Sequence, residues 1–336
     1  MIMSIKILKP GLFSTVQDKG RVGYQDQGFS SAGALDDNAL RLGQALLNHE
    51  GPAIEYTVIG PTIEFLADNA IVMTGARFNV TLNSDNIDQN TVINVKKGDV
   101  LEIGQVTKGA RGYLNFANPL QLPKIAGSYS THTRSQIGGY QGRTLKKDDV
   151  LTTEKVKNYT TRIGLSANYN EEIFDQQIIH IVEGPQIDAF SETSINALTS
   201  SVFKISEQSD RMGYRLQGDS IPPIASADII SEPVALGSIQ VPNDGNPIIL
   251  LNDKQTVGGY TKIATVCAMD LQVLAQKQPG SEIQFEWISV EQATEQLKEK
   301  EHKFLQELTN IEQKPIYDLK QLRPTASRIK NLLKGE

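Results

Sequence analysis

IEYTVIGPTIEFLADNAIVMTG, residues 54–75, is the stretch on which the fold turns. Its apolar residues alternate with polar ones or run in short bursts. Gly60-Pro61 and Asp68-Asn69 break those bursts at intervals too short for helices. That is a sheet pattern. Working outward, VINVKKGDVLEIG at 92–104 reads as a hairpin, because Lys97-Gly98-Asp99 places turn chemistry between two apolar arms. One helix interrupts this half. ALDDNALRLGQALLNHEG, 34–51, offers Asp36 or Asp37 as N-cap, apolar positions at 39, 40, 42, 43, 46 and 47, and a stop between Asn48 and Gly51.

The second half repeats the character. QIIHIVEGP (177–185) is a buried-strand run, DRMGYRLQG (210–218) alternates, and IQVPNDGNPIILL (239–251) holds Asp244-Gly245 between apolar arms. From about residue 289 the texture becomes SVEQATEQLKEKEHKFLQELTNIEQK, with Leu297, Phe304, Leu308 and Ile311 at helical spacings. This is read as a solvated tail helix lying on the body or, alternatively, as a partner-docking arm. A short helix over TASRIKNLLKGE (325–336) would follow Pro324. The expected organisation is a first β domain over 1–155, a second over 156–288 and a helical tail over 289–336. Short words recur between the halves: RVGY at 21–24 and RMGY at 211–214, IGGY at 137–140 and VGGY at 257–260. Related β domains would keep such turn residues.

A chain of 336 residues is long enough for two domains and an appendage. Its formal net charge of −6 argues against a general nucleic-acid binder. The single cysteine, Cys267, excludes an internal disulfide, and it reads as a small hydrophobe in a strand. No Cys/His cluster has zinc-ligand spacing. The start lacks the apolar core of about 7–15 residues that a signal peptide carries. No apolar run approaches the ~20 residues of a membrane span. A cytoplasmic protein is expected. There is no G-x-x-x-x-G-K-[ST] loop, H-E-x-x-H pair, G-x-S-x-G elbow or Rossmann fingerprint, so ATP use would require an unusual site or a partner.

Three places could carry chemistry. In SDRMGYRL (209–216) a strand would put Arg211, Gly213 and Arg215 on one face and Met212, Tyr214 and Leu216 on the other. Two guanidiniums aimed together suit a carboxylate or phosphate, though a solvated pair fits equally. In TVQDKGRVGYQDQGFSSAGALD (15–36), Asp18, Arg21 and Tyr24 lie in a glycine-rich loop feeding a helix N-terminus. That loop could cradle an anion, or Asp36 could simply cap the helix. GSIQVPNDGNPIILLNDKQTVGGY (237–260) supplies Gln240, Asp253, Gln255 and Gly258-Gly259-Tyr260, either as a plain hairpin and turn or as the wall of a site. Among the histidines, His180 reads as a satisfied core residue, His132 as freer, and His49 and His302 as surface groups.

These words combine. TVQDKGRVGYQDQGFSSAGALD, GSYSTHTRSQIGGYQGRTLKKDDVL (127–151), SDRMGYRL and SEPVALGSIQVPNDGNPIILLNDKQTVGGYTKIATV (231–266) occur in order. Together they closely resemble the allophanate-hydrolase-subunit-2 family, also called the biotin-dependent carboxyltransferase or 5-oxoprolinase C-subunit family, over roughly residues 7–290. The resemblance implies a mainly β fold of two cyclophilin-like β-barrel domains. Of three family roles, it points first to a subunit of an ATP-dependent 5-oxoprolinase, which opens 5-oxoproline to glutamate. Such a subunit is expected to be inactive without its companions. The partners implied are a subunit-1-type protein (the B component of 5-oxoprolinase) and the A component of the same enzyme. The other roles are a carboxyltransferase component of a urea-carboxylase-like enzyme, with biotin arriving on another protein, and a regulatory module antagonising a histidine-kinase inhibitor. ATP would be used by the complex, and no metal site is expected in this chain. Substrate contacts are expected among Asp18, Arg21, Tyr24, Arg211, Tyr214, Arg215, Gln240, Asp253, Gln255, Gly258, Gly259 and Tyr260; no nucleophile is assigned. The chain departs from the family pattern at Thr261, where proline is common, and at Asn118-Pro119 and Tyr129.

Overall fold

A computed structural model of the chain describes residues 3–156 and 158–313, together with Ile329, Leu332 and Leu333. The short helix expected over 325–336 lies almost wholly outside the described residues.

The first half builds one sheet from β1 (Ser4–Lys9), β2 (Phe13–Gln17), β3 (Ala53–Thr57), β4 (Thr62–Phe65), β5 (Asn69–Leu82), β6 (Asp85–Asn86), β7 (Ile93–Val95), β8 (Val100–Phe116) and β9 (Val150–Thr152). The order is β2-β3-β8-β4-β1-β9, and β5 runs against β8, β7 and β6, giving a half-barrel. The stretch 54–75 does form three strand segments, as its broken alternation dictates. The hairpin expected over 92–104 is not formed. A Lys96–Asp99 turn is present, with the Asp99 amide donating to the Lys96 carbonyl over 3.0 Å. Its arms join different partners: β7 pairs with the start of β5, whereas β8 is held by β4 on one side and by β5 on the other. A strand has two hydrogen-bonding edges, so β8 has none left for β7.

Helix α1 (Asp37–Leu47) begins at Asp36, whose carboxylate accepts from the Ala39 amide over 3.0 Å, and ends at Asn48 in the left-handed region, φ 58°. Both ends lie where the local chemistry of the sequence puts them. Its apolar face, with Leu40, Leu42 and Leu46 fully buried, packs on β5 and β8.

After the short β10 (Leu165–Ser166), the second half supplies β11 (Ile178–Glu183), α2 (Glu192–Ser200), β12 (Val202–Ile205), β13 (Gly213–Gln217), β14 (Asp228–Pro233), β15 (Ser238–Gln240), β16 (Ile248–Leu250), β17 (Val257–Tyr260), β18 (Lys262–Val266), α3 (Leu271–Ala275) and β19 (Glu282–Trp287). Seven of these strands close a barrel in the order β11-β18-β15-β16-β13-β12-β19, sealed by a parallel β11–β19 pair. Closure removes exposed edges from this sheet. The β15–β16 hairpin expected from Asp244-Gly245 is present, with Ile239 opposite Ile249. β14 and β17 stand outside the barrel as a two-stranded ribbon.

The core is continuous across the halves. One cluster joins Leu40, Leu46, Val72 and Tyr113 of the first half to Ile179, Phe203, Ile239 and Ile263 of the barrel; a second cluster fills the half-barrel itself. The tail helix α4 (Val290–Thr309) starts with a Ser289/Gln292 capping box and lies on the body. Arg41 grips Glu301 with two hydrogen bonds of 2.9 and 2.6 Å and stacks 4.7 Å from the Phe304 ring centroid. The chain then adds β20 (Glu312–Gln313) against β10. Among the described residues no helix is long and apolar enough to cross a membrane.

Candidate functional site

Strand β2 delivers Gln17 and Asp18 to the seam between the halves, where the 18–35 loop meets 125–142 and the 252–255 turn. Asp18 turns inward. It accepts from the hydroxyls of Ser128 and Ser130 (both 2.5 Å) and the amides of Tyr129 (2.8 Å) and Gly20 (2.9 Å). Burial alone would raise its pKa, but these four donors outweigh burial and hold the carboxyl below its usual range. The carboxylate thus pins the first loop to the 128–130 segment. Asp18→Asn offers the donors one oxygen and an unwanted NH₂, so a loss of roughly 2–3 kcal/mol is expected. Because the folded pKa is depressed, Asp18's contribution is complete above the unfolded value of about 3.9 and is lost as pH falls through the folded value. Urea melts of both proteins between pH 7 and pH 3 check this: the Asp18→Asn deficit should shrink toward the acid end.

Arg21 is fully buried. Its Nε donates to the Ile125 carbonyl at 3.2 Å and one terminal nitrogen to the Ser130 carbonyl at 2.5 Å. The other terminal nitrogen has no partner. Burial lowers its pKa, opposed by the nearby charges of Asp18 and Asp253. Gly138 and Gly139 make this approach possible. A Cβ on Gly138 would sit 2.3 Å from the guanidinium and 2.0 Å from the Ser130 carbonyl oxygen, and one on Gly139 1.8 Å from Thr131 Oγ1. The Gly-Gly of the first repeated word is therefore the floor of an arginine pocket.

The second arginine of the repeated words behaves differently. Arg211 spends its whole fork: Nε and Nη2 on the Asp253 carboxylate at 3.1 and 3.0 Å, Nη1 on Glu55, and Nη2 also on the Gly33 carbonyl at 2.6 Å. Burial lowers its pKa, but Asp253 and Glu55 more than reverse that. Glu55 also accepts from Tyr113 Oη and the Leu35 amide. The network continues through the buried Asp36, which accepts from Tyr169 Oη and Gln276 Nε2. Burial pushes the Asp36 carboxyl up despite these donors. The Gln276 side-chain oxygen then accepts from the Ala110 and Arg111 amides, and Arg111 donates to Tyr214 Oη at 2.6 Å. This chain of contacts runs through both halves and is buried throughout.

The expected pair of convergent guanidiniums is thus not formed. Strand β13 begins only at Gly213, so Arg211 lies before it and turns into the seam, while Arg215 on the strand is exposed. The exclusion of water around Glu55 and Asp253 draws Arg211 inward. Tyr214 is buried in the network, Tyr24 is half-buried against Phe29, and Gln255 is exposed. Gln240 is buried in β15 with its Nε2 unpartnered beside Gly258, where a Cβ would come within 2.6 Å. Gly258, Gly259 and Tyr260 form β17 in the ribbon. The structure therefore brings Asp18, Arg21, Arg211 and Asp253 together and spreads the others.

Two histidines also depart from expectation. His132 is buried, its Nε2 facing the Asp253 carbonyl at 3.1 Å and its Nδ1 facing the Ser135 amide at 3.3 Å. His49 is half-buried between the Phe116 carbonyl and the Gly51 amide. Both are structural links because backbone groups of a buried turn need partners. His180 finds the expected partner in Asp270 at 2.7 Å, but it is half-buried rather than a core residue. Cys267 is buried just past β18, and burial pushes its thiol up to about 11. Lys254 is a site residue that sequence reasoning missed. It is buried, its pKa is lowered by burial, and its ammonium meets only the Gln255 carbonyl at 3.5 Å. Its carbonyl receives Ser30 Oγ at 2.6 Å, which sets it against the Arg21 loop. Its place beside Asp253 in NDKQ was the available signal, but a lysine in a polar turn ordinarily reads as solvated. Two cavities of about 440 and 200 Å³ flank α4, and none of the anticipated side chains lines them.

Residues 27–287 match the family described as carboxyltransferase domain, subdomain A and B. The chain is 35% identical over 304 residues to the C subunit of 5-oxoprolinase from Escherichia coli K12, covering 90% of this chain and 97% of that protein. It is 36% identical to the C subunit of 5-oxoprolinase from Haemophilus influenzae, covering 91% and 98%. It is 32% identical to the urea amidolyase of Saccharomyces cerevisiae over 86% of this chain and 17% of that one. The solved urea amidolyase of K. lactis superposes with a TM-score of 0.81 at 31% identity, over 89% of this chain and 19% of that chain. The chain thus spans about a fifth of that solved protein.

Proposed function

We propose, because this chain belongs to the carboxyltransferase domain family of subdomains A and B, that it is a subunit of an ATP-dependent 5-oxoprolinase. The observation that carries this is the match along 97% of the E. coli 5-oxoprolinase C subunit. The companions would be a subunit-1-type protein, as the B component, and an A component, and the location cytoplasmic. In the reaction, the amide oxygen of 5-oxoproline attacks the γ-phosphorus of ATP and ADP leaves. Water then adds to the activated carbon, the ring C–N bond breaks, and phosphate and glutamate depart.

What this chain's residues would do is bind and orient. Arg21 keeps one N–H pair uncommitted inside a site that excludes water, which suits a substrate carboxylate. Lys254, whose backbone carbonyl meets Ser30 of the Arg21 loop, adds a second, weakly paired cation. Arg211 and Asp253, being committed to each other, position the 252–255 turn rather than touch substrate. The test is a three-component assay: 5-oxoproline should elicit ADP release only when this chain and both companions are present. No release under any combination would defeat the reading.

The urea amidolyase likeness favours a second reading, a carboxyltransferase component whose biotin arrives on another protein. Urea-dependent decarboxylation of carboxybiotin by the purified chain would select it.

A further inference from the structure

Three consecutive carbonyls of the 252–255 turn are each held by a donor from the first half. Asn252 accepts from the Ala32 amide at 2.9 Å, Asp253 from His132 Nε2 at 3.1 Å and Lys254 from Ser30 Oγ at 2.6 Å. Ala32 and Ser30 belong to the loop that carries Arg21. His132 belongs to the other loop, 125–142. Among the described residues, its bond to Asp253 is the hydrogen bond that ties that loop to the turn.

The 125–142 loop is the one that encloses the Arg21 guanidinium. It supplies the Ile125 and Ser130 carbonyls that Arg21 holds, and Gly138, which leaves the guanidinium room. The turn carries Lys254. Asp253 is already fixed at two points by Arg211, through its carboxylate and through its amide, which donates to the Arg211 carbonyl at 3.0 Å. His132 fixes the third polar group of the same residue. Ring and turn residue are both buried, so water does not stand in for this bond.

The contacts of the ring decide where its proton lies. The Ser135 amide faces Nδ1 at 3.3 Å and can only donate, so Nδ1 accepts and carries no proton. The proton is therefore on Nε2, opposite a carbonyl that can only accept. One tautomer satisfies both contacts, and it leaves the donor pointing across the seam.

We propose that His132 is a positioning residue: its Nε2–H bond to the Asp253 carbonyl holds the turn that carries Lys254 against the loop that encloses Arg21. It acts through the turn and not on the substrate. This rests on the reading of Arg21 as the group that receives the carboxylate of 5-oxoproline.

The test compares His132→Gln with His132→Asn in the three-component assay. A glutamine nitrogen reaches about as far as Nε2 and can still donate to Asp253, whereas asparagine reaches only as far as Nδ1 and can keep only the Ser135 bond. His132→Asn should raise KM for 5-oxoproline and lower kcat/KM by roughly 30-fold, with KM for ATP unchanged, because a misplaced binding group costs on that order. His132→Gln should recover most of that loss. The reverse ranking would show that the ring only braces its own loop, and equal losses in both variants would show that its packing matters and not its bond; either overturns the proposal. Variants as active as the parent overturn it too, while the functional reading stands. Nitrogen NMR of the imidazoles in the full chain gives a readout apart from activity. The His132 signals, known by their absence from the Gln variant, should show a bare Nδ1 and a protonated Nε2. A proton on Nδ1 would overturn the proposal. A parent that is silent in every combination of the assay would defeat the functional reading, and the positioning role with it.

Discussion

Replacing Arg211 by methionine is expected to destabilise the protein by about 3–5 kcal/mol, the cost of breaking a buried ion pair from one side. The chemistry is direct. Glu55 and Asp253 are almost wholly buried, and Arg211 is the cation that touches both. Without it, two carboxylates face each other in a site that water does not reach, and the Gly33 carbonyl loses its donor as well. The triple change Arg211→Met/Glu55→Gln/Asp253→Asn removes the charges together and should recover a good part of the loss. Urea unfolding midpoints of the parent, the single variant and the triple variant measure this. A single variant within about 1 kcal/mol of the parent would show that the seam does not depend on the triad.

Arg21→Lys is expected to leave a folded protein whose complex has lost roughly 100-fold in kcat/KM for 5-oxoproline, equivalent to about 2.7 kcal/mol. Lysine keeps the positive charge. It cannot hold the Ile125 and Ser130 carbonyls with a planar fork and still present a free N–H pair at a fixed angle. If Arg21 holds the substrate carboxylate, the loss should appear when 5-oxoproline is varied and not when ATP is varied. Equal losses for both, or a melting temperature that falls in step with activity, would mean that Arg21 only supports the loop.

How much of this is legible in the residues alone depends on range. The strands within 54–75 and both ends of α1 are legible because alternation, turn residues and caps act over a few positions. The Arg211–Glu55 contact joins residues 156 apart in sequence, and nothing local to either announces the other. The same holds for His132, whose polar neighbours suggest a free ring although the fold sets it against the Asp253 carbonyl, 121 residues away. Arg21 stands out through its glycine-rich surroundings, but that one of its nitrogens stays unpartnered is a property of packing. The hairpin expected over 92–104 fails for a related reason: turn chemistry specifies a reversal of the chain, not which strand edge is still open when the arms arrive.

The shared core beneath α1 has a consequence for how such proteins are assembled by genes. The helix belongs to the first half by sequence, yet its apolar face shares one core with the barrel made much later in the chain. Severing the halves would open that cluster along the seam. The piece that can be moved between genes is therefore the pair of β units with their seam intact. In the Saccharomyces urea amidolyase the matching region spans 86% of this chain inside a far longer protein. Recombination has room to act at the ends of this unit, and little within it.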